Sequence, residues 1–174
     1  MRAFIAIDLP VDVRKKIKQI QKKLPEFIGK KTEINNLHLT LKFLGEIDKK
    51  KLNEIRKKLG EIRFKRFETE IDIIGVFSEE FIKIIWLHLT NCEELQRLID
   101  EKLSGVFPKE ERFMSHLTIG RVKYVKDKKS FLEKIRKIKI DEIKFNVDSF
   151  VLKKSLLTTN GPVYENLLEV RLEE

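Results

Sequence analysis

Apolar residues return along this chain at two periods, two and about 3.6, and the switches between them divide it into strands and helices. Residues 2–8 form an apolar strand run closed by Leu9-Pro10. Ile17, Ile20, Leu24, Phe27 and Ile28 then recur at helical spacing among Lys and Gln, and Gly29 with the polar stretch to Asn36 ends that predicted helix. A strand follows over Leu37–Leu44, in which His38, Thr40 and Lys42 alternate with Leu39, Leu41 and Phe43. The apolar set is expected to face the helices. Asp48 caps a second helix with the stripe Leu52, Ile55, Leu59 and Ile62, and Phe67–Phe77 alternates as a strand.

After a turn at Ser78-Glu79-Glu80 the order begins again. Ile82–Leu87 reads as a buried strand, Leu95, Leu98, Ile99 and Leu103 as a helix, Met114–Val122 as a strand, and Phe131, Ile135 and Ile138 as a fourth helix. Ile143, Phe145, Val147 and Val151 alternate as one long strand, and a last strand with Tyr164, Leu168, Val170 and Leu172 follows Asn160-Gly161-Pro162. Two strands carry the same phrase: His38-Leu39-Thr40-Leu41 and His116-Leu117-Thr118-Ile119 stand 78 residues apart (116 − 38). That offset lays Phe4–Ile7 on Ile82–Ile85, Asp48 beside Asp127 and Phe67 on Phe145. The expected fold is therefore α+β, one domain over residues 1–174. It has two pseudo-symmetric lobes, with two mainly antiparallel sheets flanked by helices around a central cleft.

Composition narrows the setting. With 174 residues and 41% hydrophobic content the chain can bury a core of ordinary size. A net charge of +9 favours nucleic acid or another phosphate-bearing ligand, although 37% charged residues also describe a heavily solvated surface. Cys92 is the only cysteine, so no intrachain disulfide forms, and no apolar run approaches the ~18 residues of a membrane span. A soluble, cytoplasmic protein is expected.

The repeated histidines are the candidate chemistry. Two imidazoles related by a pseudo-twofold axis face one cleft, where one removes a proton from an attacking oxygen and the other donates one to a leaving oxygen, as phosphodiester displacement requires. Thr40 and Thr118 are placed to donate hydrogen bonds to the non-bridging oxygens. Strict alternation puts Arg121 on the opposite face from His116, unless a bulge or kink at Gly120 turns it into the cleft. Phe43 and Phe4 are candidates for stacking on a base, against a core role. His88-Leu89-Thr90 repeats the phrase a third time, but the 78-residue offset lays His88 on Pro10, and Thr90-Asn91-Cys92-Glu93 fits a helix capping box. His88 is accordingly read as structural. Three scattered histidines without metal-ligand spacing predict no metal site, and no phosphate-binding Gly-rich loop predicts a nucleotide cofactor.

At these residues the chain resembles the two-histidine (2H) phosphoesterases, and within them the RNA 2′,3′-cyclic phosphodiesterase or 2′-5′ RNA ligase group. Arg2–Ile7, the two motifs His38–Gly45 and His116–Arg121, Ser155, and Gly161-Pro162-Val163-Tyr164 carry the likeness nearly end to end. Ser115 is the irregularity, at a position where many relatives have proline. The resemblance implies hydrolysis of a terminal RNA 2′,3′-cyclic phosphate to a 2′-phosphate without metal or nucleotide, with His38 as proton donor to O3′ and His116 as the base on water. It also admits 2′-5′ ligation as the reverse reaction, and tRNA fragments as partners of a monomer. A small cyclic nucleotide as substrate and a silent RNA-binding module are the alternatives.

Overall fold

The computed structural model describes residues 1–174. Four helices, α1 (Val11–Lys22), α2 (Lys49–Gly60), α3 (Glu93–Lys102) and α4 (Lys128–Lys137), accompany nine strands: β1 (Arg2–Asp8), β2 (Ile28–Lys31), β3 (His38–Glu46), β4 (Phe67–Val76), β5 (Ile84–Leu89), β6 (His116–Tyr124), β7 (Ile143–Val147), β8 (Ser149–Thr158) and β9 (Gly161–Arg171). The strands make two sheets, ordered β3-β1-β8-β9 and β2-β6-β5-β4-β7, and every pairing within them is antiparallel. The bilobal α+β architecture expected from the hydrophobic pattern is the one observed.

Strands are exchanged between the halves. β4, which follows the first-half helix α2, pairs with β5 of the second half, and β8, from the end of the chain, pairs with β1. The long strand expected over 143–151 is cut at Asp148, with β7 in the five-stranded sheet and β8 in the four-stranded one. Period-two alternation cannot reveal this, because it survives when a chain changes sheets without changing which side is buried. One hydrophobic core of 38 buried residues lies between sheets and helices, from Ile5 and Ile7 through Leu39, Ile55, Leu87 and Ile99 to Phe150. Each such side chain contributes roughly 1.5–3 kcal/mol relative to exposure.

Helix ends follow local chemistry. The Asp48 carboxylate accepts the Lys51 backbone N–H at 2.8 Å and Asp127 that of Ser130 at 3.0 Å, so α2 and α4 have the expected acidic cap or its counterpart. The first helix is shorter than its apolar spacing suggests. It stops at Lys22, and Pro25, which has no backbone N–H to donate, turns the chain into the edge strand β2. Phe27 and Ile28, assigned to the helix by periodicity, belong to this turn and strand. The capping box at Thr90 does not form either. α3 begins without a side-chain cap, and Thr90 Oγ1 instead accepts the Glu70 N–H at 2.9 Å, tying the end of β5 to β4.

Candidate active site

The two motif strands have the same burial pattern, position for position, over their nine residues. In each, alternation holds through the His and Thr and then breaks. Ala6 faces Thr40 but Ile5 faces Lys42, so Leu41 is an extra residue; Trp86 faces Thr118 but Ile85 faces Gly120, so Ile119 is its counterpart. A β-bulge of this kind shifts every later side chain to the other face. Lys42 and Gly120 turn inward, and Phe43 and Arg121 turn outward into the cleft. This corrects the strict alternation, which put Lys42 with His38 and Phe43 against the helices. It also resolves Arg121: the bulge lies at Ile119, one residue before the glycine named for it.

Local bonds hold the second bulge. Gln21 of α1, itself buried, donates through Nε2 to the Ile119 carbonyl at 2.9 Å, and the Thr32 backbone N–H donates to the same oxygen at 3.0 Å. Thr32 Oγ1 donates to the Thr118 carbonyl at 2.9 Å. Behind the first motif, the buried Lys42 ammonium pairs with Asp100 of α3 and donates to the Pro108 carbonyl at 2.8 Å. Such a buried pair costs several kcal/mol when one partner is removed.

A cleft of about 510 Å³ lies between the sheets, and His38, Thr40, Phe43, His116, Thr118 and Arg121 all line it. The two histidines are held alike. His38 Nδ1 lies 2.8 Å from the Asn36 carbonyl and His116 Nδ1 2.8 Å from the Met114 carbonyl, two residues upstream in each case. A carbonyl only accepts, so Nδ1 carries the hydrogen and Nε2 is the working atom of both rings. His38 Nε2 is 3.2 Å from Thr40 Oγ1. Aromatic rings fix each imidazole. Phe4 and Tyr164 lie against His38 at 4.9 and 5.1 Å between centroids, and Phe77 stands edge-on to His116 at 4.8 Å.

Charge around His38 is uneven. Burial pushes its imidazole down to about 4, opposed by the hydrogen bond to the Asn36 carbonyl, with Lys153 lowering it further and Asp8 raising it. Lys153 is buried, its ammonium 2.9 Å from Asp8 and 2.7 Å from Asn166 Oδ1. Tyr164 is shifted upward by its own burial.

His88 occupies a different place from the one its sequence offset gives. Pairing with the motif strands makes Ile84, not Ile82, the counterpart of Phe4, and sets His88 opposite His116 as Asp8 is opposite His38. It still does not line the cleft; its Nδ1 is bonded to Asp72 at 2.7 Å. Among the cleft residues, Lys30 and Asn36, which lie in and after a four-residue exposed strand, had no sequence signal as site residues, and Phe77, which packs on His116, looks like a strand end. Tyr164 stands in the sequence reading as a residue of the last strand and of the closing segment of the resemblance, not as a site residue. No three His, Cys, Asp or Glu side chains converge as a metal site would require, and no helix is long and apolar enough to cross a membrane.

Comparison with known proteins agrees in extent with the likeness carried by the motifs. The family model described as LigT-like phosphoesterase matches residues 7–86 and 89–164. A Methanocaldococcus jannaschii protein named RNA 2′,3′-cyclic phosphodiesterase is 39% identical over 174 residues, covering 97% of this chain and 99% of its own. One of the same name from Thermotoga maritima is 37% identical, covering 99% of this chain and 96% of its own. Among solved structures, E. coli LigT complexed with 3′-AMP superposes with a TM-score of 0.80 at 25% identity, over 99% of this chain and 98% of that one. The duplicated motif strands and the match along nearly the whole chain have one reading: the protein belongs to the LigT-like phosphoesterase family.

Proposed function

We propose that this protein hydrolyses RNA 2′,3′-cyclic phosphate ends to 2′-phosphates by paired-histidine acid–base catalysis. The observation that carries the reading is the pair of Nε2 atoms presented to one cleft by two strands of identical burial pattern. Its relatives' names supply the substrate.

In the proposed reaction His116 Nε2 takes a proton from water as the oxygen attacks phosphorus. The P–O3′ bond breaks, and His38, protonated at Nε2, delivers a proton to O3′. Thr40 and Thr118 donate to the non-bridging oxygens, and Arg121 balances the phosphate charge. Phe43, 70% exposed, offers the terminal base an apolar wall, and the buried Phe4 backs it with ring centroids 6.3 Å apart. Both proton transfers are served by imidazoles, so the scheme assigns no step to a metal or nucleotide. The same scheme with a ribose 5′-hydroxyl in place of water forms a P–O5′ bond as the P–O3′ bond breaks, which is 2′-5′ ligation. We take the protein to act as a cytoplasmic monomer, with tRNA fragments among its substrates.

One observation favours exchanged roles. An imidazole lowered to about 4 is neutral at pH 7, which suits a base better than an acid. The substrate's own anion opposes this, because a phosphodiester beside His38 stabilises the imidazolium. A substrate with sulfur replacing O3′ separates the two, since a thiolate leaves without a proton. Rescue of His38→Ala but not His116→Ala by that substrate identifies His38 as the acid; the opposite pattern exchanges the roles. The reaction itself is tested by incubating the protein with chelator and a short RNA ending in a 2′,3′-cyclic phosphate, and reading the product by phosphorus NMR. A 2′-phosphate is expected. A 3′-phosphate product, or turnover that stops with chelator and returns with a divalent ion, overturns the proposal.

A further inference from the structure

The excess positive charge of this chain is not spread over it. Residues 11–31 and 121–139 hold 17 of the 37 Lys and Arg but 4 of the 28 Asp and Glu, so the remainder is net acidic. The fold brings these two segments together. β2 pairs with the outer end of β6, and the Phe27 ring meets Phe131 of α4 edge-on at 6.3 Å. Among the 17 cations, Lys30 and Arg136 alone pair with a carboxylate.

Two features give this flank a direction. At the cleft end, Lys30 and Arg121, opposite each other in register, line the cleft itself. At the far end, the C-termini of α1 and α4 enclose a second concavity of about 430 Å³, lined by Lys23, Pro25, Lys134, Lys137, Ile138 and Lys139. Between them lie Tyr124 and Ile28, opposite each other in register and 57% and 62% exposed. Four residues of β2 span roughly 13 Å, a distance a nucleic-acid strand crosses in a few nucleotides. Lysines at helix C-termini interact favourably with the helix dipole, but that does not account for four of them around one hollow with no carboxylate among them.

We propose that this flank is a track for the body of the RNA whose cyclic end is in the cleft. The strand leaves past Lys30 and Arg121, a base stacks on Tyr124, and a backbone phosphate further along sits among Lys23, Lys134, Lys137 and Lys139. The concavity at the far end suits a phosphate on a strand better than a flat anionic membrane, and the cation–aromatic–cation order is that of single-strand binding surfaces. The proposal rests on the RNA reading of the cleft and extends it to substrates longer than a dinucleotide.

The test measures binding apart from turnover. Affinity for an RNA of about twelve nucleotides with a stable 3′-phosphate end is read by fluorescence anisotropy across a salt series. It is measured for the native protein, for Lys134→Glu/Lys137→Glu, and for a charge-matched control on α2, Lys49→Glu/Lys50→Glu. The α4 variant is expected to bind on the order of tenfold more weakly, with a salt slope shallower by about 0.7 for one lost single-strand phosphate contact. Tyr124→Ala is expected to weaken binding with the salt slope unchanged. Equal weakening by the control, or none by the α4 pair, overturns the track, as does binding to phosphatidylserine vesicles without binding to RNA. If Lys134→Glu/Lys137→Glu does not fold, Lys137→Gln/Lys139→Gln, set against Lys49→Gln/Lys50→Gln, carries the same comparison. Failure to turn over a cyclic-phosphate end while this pattern of binding holds would count against the proposed reaction and leave the track standing.

Discussion

His38 and His116 differ in surroundings although their strands match. His38 packs against Phe4 and Tyr164, which touch each other, with its pKa lowered by burial to about 4, and this has a consequence for stability. Above the unfolded value of about 6.5 both states are neutral and the group contributes nothing to pH dependence. Below it the unfolded chain binds a proton that the native ring refuses, so stability falls as pH drops from about 6.5 and levels off near 4. The loss expected is roughly 1–3 kcal/mol, and His38→Gln should flatten that stretch of a denaturant-midpoint profile. A slope that persists in the variant would locate the titration elsewhere. For catalysis, His38→Ala and His116→Ala should each lower turnover by about 10²-fold or more with melting unchanged, whereas His88→Ala, whose ring is engaged by Asp72 outside the cleft, should keep it.

Among the elements, the two motif strands depend on what lies behind and beside them. Lys42→Ala would leave Asp100 buried without its cation, a loss of about 3–5 kcal/mol. Lys42→Met combined with Asp100→Leu should recover much of that, read as a thermal midpoint against the single variant. The recovery would be incomplete, because Asp100 also accepts the Glu110 backbone N–H at 2.7 Å. On the other motif strand, β2 lies so close that a Cβ added at Gly29 would stand 2.1 Å from the Arg121 carbonyl. Gly29→Ala must therefore push β2 away from β6. Faster amide exchange confined to β2 and the outer end of β6, with the core unchanged, is the expected result.

Across the whole molecule, the exchanged strands make the halves dependent on each other. A fragment ending after β4 would hold β1 and β3 without β8 and β9, and would expose β4 without β5 or β7. Its edges and apolar faces would be open, so residues 1–80 and 81–174 are each expected to remain unfolded by circular dichroism and to regain structure when mixed. The intact chain should unfold in one transition, and separate melting of two halves would contradict that dependence.

The order of strands and helices, the two His-x-Thr strands and their equivalence were legible in the sequence because hydrophobic period and residue identity are local properties. Asp48 as a cap belongs with them. What lay beyond it were the places where one residue changes register or sheet. The bulges at Leu41 and Ile119 decide which of Lys42, Phe43, Gly120 and Arg121 reach the cleft, and nothing in a period-two pattern marks the extra residue. The break at Asp148, the conversion of Phe27 and Ile28 from helix to edge strand, and the position of His88 opposite His116 were likewise set by pairing with strands distant in the chain. Local spacing determines which residues share a face of one element. Only the tertiary structure brings two faces together, because that choice depends on contacts between residues far apart in sequence.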